Sequence, residues 1–141
     1  MGKGYGEGVN TPIYRSITHR FRDARDISPV FSGNLPDNVH LYGRFGDPNY
    51  ADLCTSLAKM EEGEEALVFA SGMSATFAIF WATLSVGDHI VVSNRIYGGT
   101  RGQIAMMAEK LKLRVSVVDI TNITAVLHAV SDDAKMLFAE V

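Results

Sequence analysis

The chain has 141 residues, 47% hydrophobic and 21% charged, with a formal net charge of −3. That length suits one ordinary domain able to bury about two-thirds of its unfolded surface, and the composition excludes an intrinsically disordered chain. The small net charge gives no electrostatic reason to expect nucleic acid or an anionic membrane surface, and the single Cys54 excludes an internal disulfide framework and fits a reducing, cytoplasmic compartment.

Residues 1–45 differ from the rest. "MGKGYGEGVN" is Gly-rich, "RSITHRFRDARD" is basic and weakly patterned, and "SPVFSGNLPDN" carries Pro, Gly and Asn breakers. They predict an extended arm with little core of its own, lying across a partner subunit. From residue 46 onward the pattern becomes regular. Asp47 is placed to cap a helix and Pro48 to occupy its first position, where a missing N–H costs nothing. Leu53, Leu57 and Met60 share a face beside Cys54 and Ala58, and Gly63 supplies the stop.

"EALVFA" reads as a strand, and residues 73–85 as a helix apolar nearly all round and therefore buried. The uncharged run from Ala66 to Gly87 contains the Ser71-Gly72 corner, which favours a buried strand plus helix over a membrane span. "HIVVS" follows the turn at Gly87 and Asp88 as a strand. Ile104, Met107, Ala108 and Leu111 form a helical stripe, "RVSVVDI" a strand, Ile123, Val126, Leu127 and Val130 a second stripe, and "KMLFAE" a last strand. Strands alternating with helices of ten to fifteen residues predict an α/β fold, a mainly parallel sheet with helices on both faces. Ending at Val141, the last strand is expected to need a further segment, or the chain to be a piece of a larger protein.

Three stretches fall where an α/β sheet binds ligands, or could serve such a site. At Ser71, Gly72 and Met73 a strand turns into a helix whose first N–H groups lack intrahelical partners; an anion cradle and an ordinary tight corner both fit. "YGGT", residues 97–100, could lay a flat ligand against the Tyr97 ring or form a plain loop. "YGR", residues 42–44, would in an extended segment aim Tyr42 and Arg44 the same way to grip a phosphate, or be a surface pair. His19, His40, His89 and His128 show no metal-ligand spacing, and no Gly-rich nucleotide loop follows a strand, which disfavours a Rossmann-type domain.

Collinear at these distances, "TPIYRS", "YGRFGDPN", "EEALVFASGMSA", "GDHIVVSNRIYGGT" and "KMLFAE" resemble the N-terminal part of the Cys/Met-metabolism family of pyridoxal-phosphate enzymes. That family holds cystathionine γ-lyase and γ-synthase, cystathionine β-lyase, methionine γ-lyase and the O-acetylhomoserine sulfhydrylases. The resemblance implies the large domain of a fold-type I enzyme, with residues 46–141 as its first part. It implies that Tyr42 and Arg44 reach the cofactor phosphate of a neighbouring subunit, while the backbone N–H groups of Gly72 and Met73 hold the phosphate of their own. It gives Tyr97 a double role, stacking on the pyridine ring and exchanging a proton with substrate, and puts Glu140 near the ring. It further implies a small amino-acid substrate, elimination or replacement at the β or γ carbon, and a homotetramer built as a dimer of dimers.

The chain departs from the family pattern in two ways. Asp47-Pro48-Asn49 stands where Asn-Pro-Thr is usual, a tolerable change because Asp caps a helix as well as Asn. Beyond the last strand the family carries an acid for the ring nitrogen and the Schiff-base lysine, and none of Lys3, Lys59, Lys110, Lys112 and Lys135 has that lysine's context. The 141 residues alone are therefore expected to be inactive. The alternative is a non-catalytic split or degenerate module that binds a phosphate ligand, a complementary chain or a full-length relative.

Overall fold

A computed structural model describes residues 10–32, 39–130 and 132–140, which fall into two compact units that divide between Val68 and Phe69. The Gly-rich stretch through residue 9 and the breakers at residues 33–38 lie outside the described residues.

In the first unit the arm is tied by backbone bonds. Thr18 and Tyr42 form an antiparallel bridge, His19 N–H donates to the Leu41 carbonyl at 3.0 Å, and Gly43 N–H donates to that of Ile17 at 2.7 Å. A 3₁₀ turn over Ala24–Asp26 leads into the single-turn helix α1, Ser28–Phe31. Helix α2, Pro48–Met60, begins as predicted: Asp47 accepts from the N–H groups of Asn49 and Tyr50, and Pro48 opens the first turn. Its stop is shared. Glu62 takes the left-handed conformation, φ 54°, and Gly63 N–H then reaches the Ala58 carbonyl at 2.8 Å. Only Ala58 of α2 is buried; Leu53 and Met60 of the predicted stripe are exposed.

The strand expected at "EALVFA" is not formed. Residues 65–69 have no ladder partner among the described residues, and a strand exists only in a ladder. Instead the Tyr50 hydroxyl accepts from Val68 N–H at 3.0 Å and faces the Val68 carbonyl at 3.3 Å, the two contacts a neighbouring strand would make.

The second unit has a sheet. Helix α3, Gly72–Thr83, precedes strand β1, His89–Ser93; helix α4, Gly98–Leu111, strand β2, Arg114–Val118, helix α5, Ile123–Ala129, and strand β3, Ala134–Phe138, follow. All strands are parallel in the order β2-β1-β3, with Val92 opposite Val117 on one side and Phe138 on the other. The middle strand is buried on both faces, which its unbroken apolar run foretells. Ile90 and Val92 pack with Phe80 of α3, Leu84 just after it, and Ile104 and Met107 of α4, and Phe80 meets Phe138 edge-on at 5.0 Å. His89 opens β1 with Nε2 2.9 Å from Ser116 Oγ, and Arg114 pairs with Asp133, so this histidine joins a polar cross-strand set.

Coverage is uneven. Val115 and Val117 of β2 line an apolar groove of about 430 Å³ with Ile104, Ala105 and Ala108 of α4. Helix α3 leaves Phe77 and Trp81 exposed, stacked at 5.9 Å. No helix among the described residues is long and apolar enough to cross a membrane.

Candidate functional site

Parallel strands place their carboxyl ends and the following helix N-termini on one rim. In the second unit that rim carries the first turns of α3 and α4 and the residues after β3. Ser71 caps α3 through a reciprocal capping box with Ser74: its side chain accepts from Ser74 N–H at 3.1 Å while Ser71 N–H donates to Ser74 Oγ at 3.1 Å. The box uses neither the Gly72 nor the Met73 N–H, and neither meets an acceptor among the described residues. The first turn of α3 holds no acidic residue, so its positive end is uncompensated there.

Gly72 has no fold-imposed reason to be glycine. Its φ lies outside the left-handed region and a Cβ built on it would meet nothing within 4 Å. The open space lies beside the free N–H groups, where a ligand would approach.

The glycines of "YGGT" belong to the first turn of α4 rather than to a loop, and Tyr97 is the N-cap residue with its ring largely exposed. Gly99 is crowded: a Cβ there would stand 2.5 Å from Tyr97 Cε1 and 2.9 Å from Met73 Sδ. Tyr97, Gly99 and Met73 therefore converge. Two residues that the sequence alone left unmarked hold the helices in this relation. Gln103 Nε2 donates to the Met73 carbonyl at 2.7 Å, and Thr76 Oγ1 lies 2.9 Å from Gln103 Oε1. Their only advance signal is a polar side chain beside the buried Ile104. Glu140 reaches the same place, accepting from Tyr97 N–H at 2.5 Å and from the Thr100 hydroxyl at 2.8 Å.

Tyr42 and Arg44 lie in the first unit. The expected extended segment is replaced after Tyr42 by a 3₁₀ turn, Gly43–Phe45, which folds Arg44 back so that its guanidinium carbon sits 5.6 Å from the Tyr42 ring centroid and 5.0 Å from that of Phe45. Arg44 forms no salt bridge among the described residues, and its charge lies against two π faces. Among the described residues no group of three or more His, Cys, Asp or Glu side chains is placed to hold a metal ion.

Tyr14, in the "TPIYRS" stretch, is paired through its backbone with the departing residue Asn49. Tyr14 N–H donates to Asn49 Oδ1 at 2.9 Å, and Asn49 Nδ2 donates to the Tyr14 carbonyl at 2.8 Å. The amide thus fastens the arm to the start of α2 by donating and accepting at once.

Fold and site together define an α/β domain that presents open N–H groups and an aromatic ring on the rim of a parallel sheet. The chain belongs to the family described as Cys/Met metabolism PLP-dependent enzyme, whose model matches residues 3–141. It is 30% identical over 129 residues to an L-methionine γ-lyase of Fusobacterium nucleatum subsp. polymorphum, covering 92% of this chain and 32% of that protein. It is 34% identical over 132 residues to a cystathionine γ-synthase of Mycobacterium bovis, covering 94% and 32%. The fold matches the crystal structure of metB from Corynebacterium glutamicum with a TM-score of 0.79 at 31% identity, over 95% of this chain and 32% of that one. A putative O-acetylhomoserine (thiol)-lyase of Campylobacter jejuni, whose structure holds N′-pyridoxyl-lysine-5′-monophosphate, matches with a TM-score of 0.79 at 26% identity, over 94% and 32%. The chain thus spans about a third of the length of the relatives it matches.

Proposed function

We propose that this chain supplies the N-terminal part of a pyridoxal-phosphate enzyme of sulfur amino-acid metabolism, acting on cystathionine, methionine or activated homoserine by β- or γ-elimination or γ-replacement. One observation carries the reading: the unpaired N–H groups of Gly72 and Met73 open onto free space that the fold does not require, beside the ring of Tyr97. Two adjacent N–H groups at a helix start suit a phosphate. Pyridoxal phosphate, when bound, supplies the electron sink for the reaction. Gly72 and Met73 would anchor its phosphate, and Tyr97 would cover its ring and move a proton at its phenolic oxygen. Tyr42 and Arg44 would serve the phosphate of a neighbouring subunit, in a tetramer built from dimers and located in the cytoplasm.

The described lysines, Lys59, Lys110, Lys112 and Lys135, are all exposed to solvent. On this reading the 141 residues alone form no borohydride-trappable lysine adduct with pyridoxal phosphate and catalyse nothing. The uncovered apolar residues Val115, Val117, Phe77 and Trp81 favour a protein partner that completes the sheet, either the rest of the enzyme or a complementary chain. That same observation leaves room for the second reading, a non-catalytic phosphate-binding module.

The test is Gly72→Val. Because a Cβ there meets no described atom within 4 Å, the unfolding midpoint should hardly move, while the affinity for pyridoxine 5′-phosphate should fall about tenfold or more, the worth of a charge-assisted hydrogen bond. Normal binding by the variant, read from the Gly98 and Met73 amide resonances, would show that the corner is only a corner.

A further inference from the structure

An N-cap position favours Ser, Thr, Asp or Asn, whose side chain can accept from the first-turn N–H groups. Tyr97 caps α4 and cannot do this: its side chain makes no cap hydrogen bond. The N-cap residue is instead held by its own N–H, from another element. Glu140 stands two residues beyond the end of β3, and one carboxylate oxygen accepts the Tyr97 N–H at 2.5 Å while the other accepts from the Thr100 hydroxyl at 2.8 Å. Thr100 is itself buried, at 2% exposure, so this end of the link is fixed by packing. One oxygen thus holds the N-cap backbone and the other a first-turn side chain of α4, and a carboxylate suits the positive end of a helix.

Position 97 makes no side-chain cap bond and carries a large aromatic residue instead. Its ring lies across Gly99, where any side chain would collide with it, and beside the sulfur of Met73. We propose that Glu140 is a positioning residue: it holds the Tyr97 backbone and the Thr100 hydroxyl at the start of α4, and so fixes the Tyr97 ring against Met73 at the N-terminus of α3. The proposal rests on the functional reading above in one respect, that this place receives the ring of the cofactor, and it assigns Glu140 a role through Tyr97 rather than one on the cofactor itself. Sequence distance hides the link, since Glu140 lies 43 residues from Tyr97.

The experiment compares the 141-residue chain with its Glu140→Gln and Glu140→Ala variants by NMR. The readouts are the nuclear Overhauser contact between the Tyr97 ring and the Met73 methyl, and the affinity for pyridoxine 5′-phosphate. Gln can accept from Tyr97 N–H through its amide oxygen and donate to Thr100 Oγ1, so it should keep the contact and change the affinity by less than about twofold. Ala should lose the contact, with the β1 amide resonances unmoved, and should weaken binding about three- to tenfold, the worth of one aromatic stack. Survival of the contact in Glu140→Ala overturns the proposal. Should that variant fail to fold, Glu140→Asp keeps the charge but shortens the reach, and the contact must be lost there too; its persistence likewise overturns the proposal. If the parent chain binds no pyridoxine 5′-phosphate, the functional reading fails, while the ring contact still decides the role of Glu140.

Discussion

Among the described residues up to Val68, Ala58 is the one buried apolar side chain; beyond it Phe80, Leu84, Ile90, Val91, Val92, Ile104 and Met107 all are. The first unit is held by side-chain amides, hydroxyls and caps: Asn49 on the Tyr14 backbone, the Tyr50 hydroxyl on Val68, Asp47 on the start of α2. Such bonds are each worth only about 0.5–1.5 kcal/mol net, because water competes for the same groups. The second unit excludes water from its centre and gains the larger hydrophobic term. The difference teaches that the second unit carries its own reason to fold, whereas the first keeps its shape by fastening points that can be undone one at a time.

The sharpest way to break the contrast is Phe80→Ala. Phe80 has no solvent exposure and meets Phe138 edge-on, so its loss should remove about 3–5 kcal/mol and collapse protection of the Val91 amide in hydrogen exchange. If that amide stays protected, the second unit has no single core. A smaller effect follows from Asn49→Ala, which deletes both bonds to Tyr14. The Tyr14 amide should then exchange freely and trypsin should cut sooner after Arg15, with the sheet untouched, at a cost of about 1–2 kcal/mol confined to the first unit. Destabilisation of the sheet by this change would mean that the two units are not independent in stability.

The smallest effect concerns acid. The Asp47 carboxyl is held below its ordinary range by the Tyr50 N–H first, and then by the side-chain amide and N–H of Asn49. A depressed pKa means that the frayed helix takes up the proton more readily than the intact one. The contribution is therefore complete above the ordinary carboxyl value of about 4 and is lost as pH falls through the lower folded value. Amide signals in the first turn of α2 should broaden over that interval while those of β1 do not. Equal behaviour of both elements would remove the distinction.

Much of the second unit can be read from its residues. "HIVVS" is a strand because five residues buried on both faces need no alternation, and Ile104 and Met107 fall on the inner side of α4 as their spacing requires. "EALVFA" shows the limit. Its residues favour a strand, yet strand is a property of a pair, and no described strand lies beside it. The extended form named for "YGR" is missed for another reason, since Gly43 permits either an extended link or the 3₁₀ turn that is formed. Of the site, Gly72, Met73 and Tyr97 are visible as turn chemistry and an aromatic at helix starts. Thr100 becomes meaningful only once Glu140, beyond the end of β3, reaches the start of α4, and Gln103 only once α3 and α4 pack together.

Helix α3 is apolar nearly all round, and its outer side carries Trp81 stacked on Phe77 with 63% of its surface exposed. Trp81 is also the one tryptophan in the chain. The molecule therefore contains its own optical gauge: the emission of this indole should stand near that of a hydrated side chain when the helix face is bare, and shift to shorter wavelength when another protein surface closes over it. Titration with a candidate partner needs no label, and the residue that reports the encounter lies on the same helix whose first turn offers Gly72 and Met73.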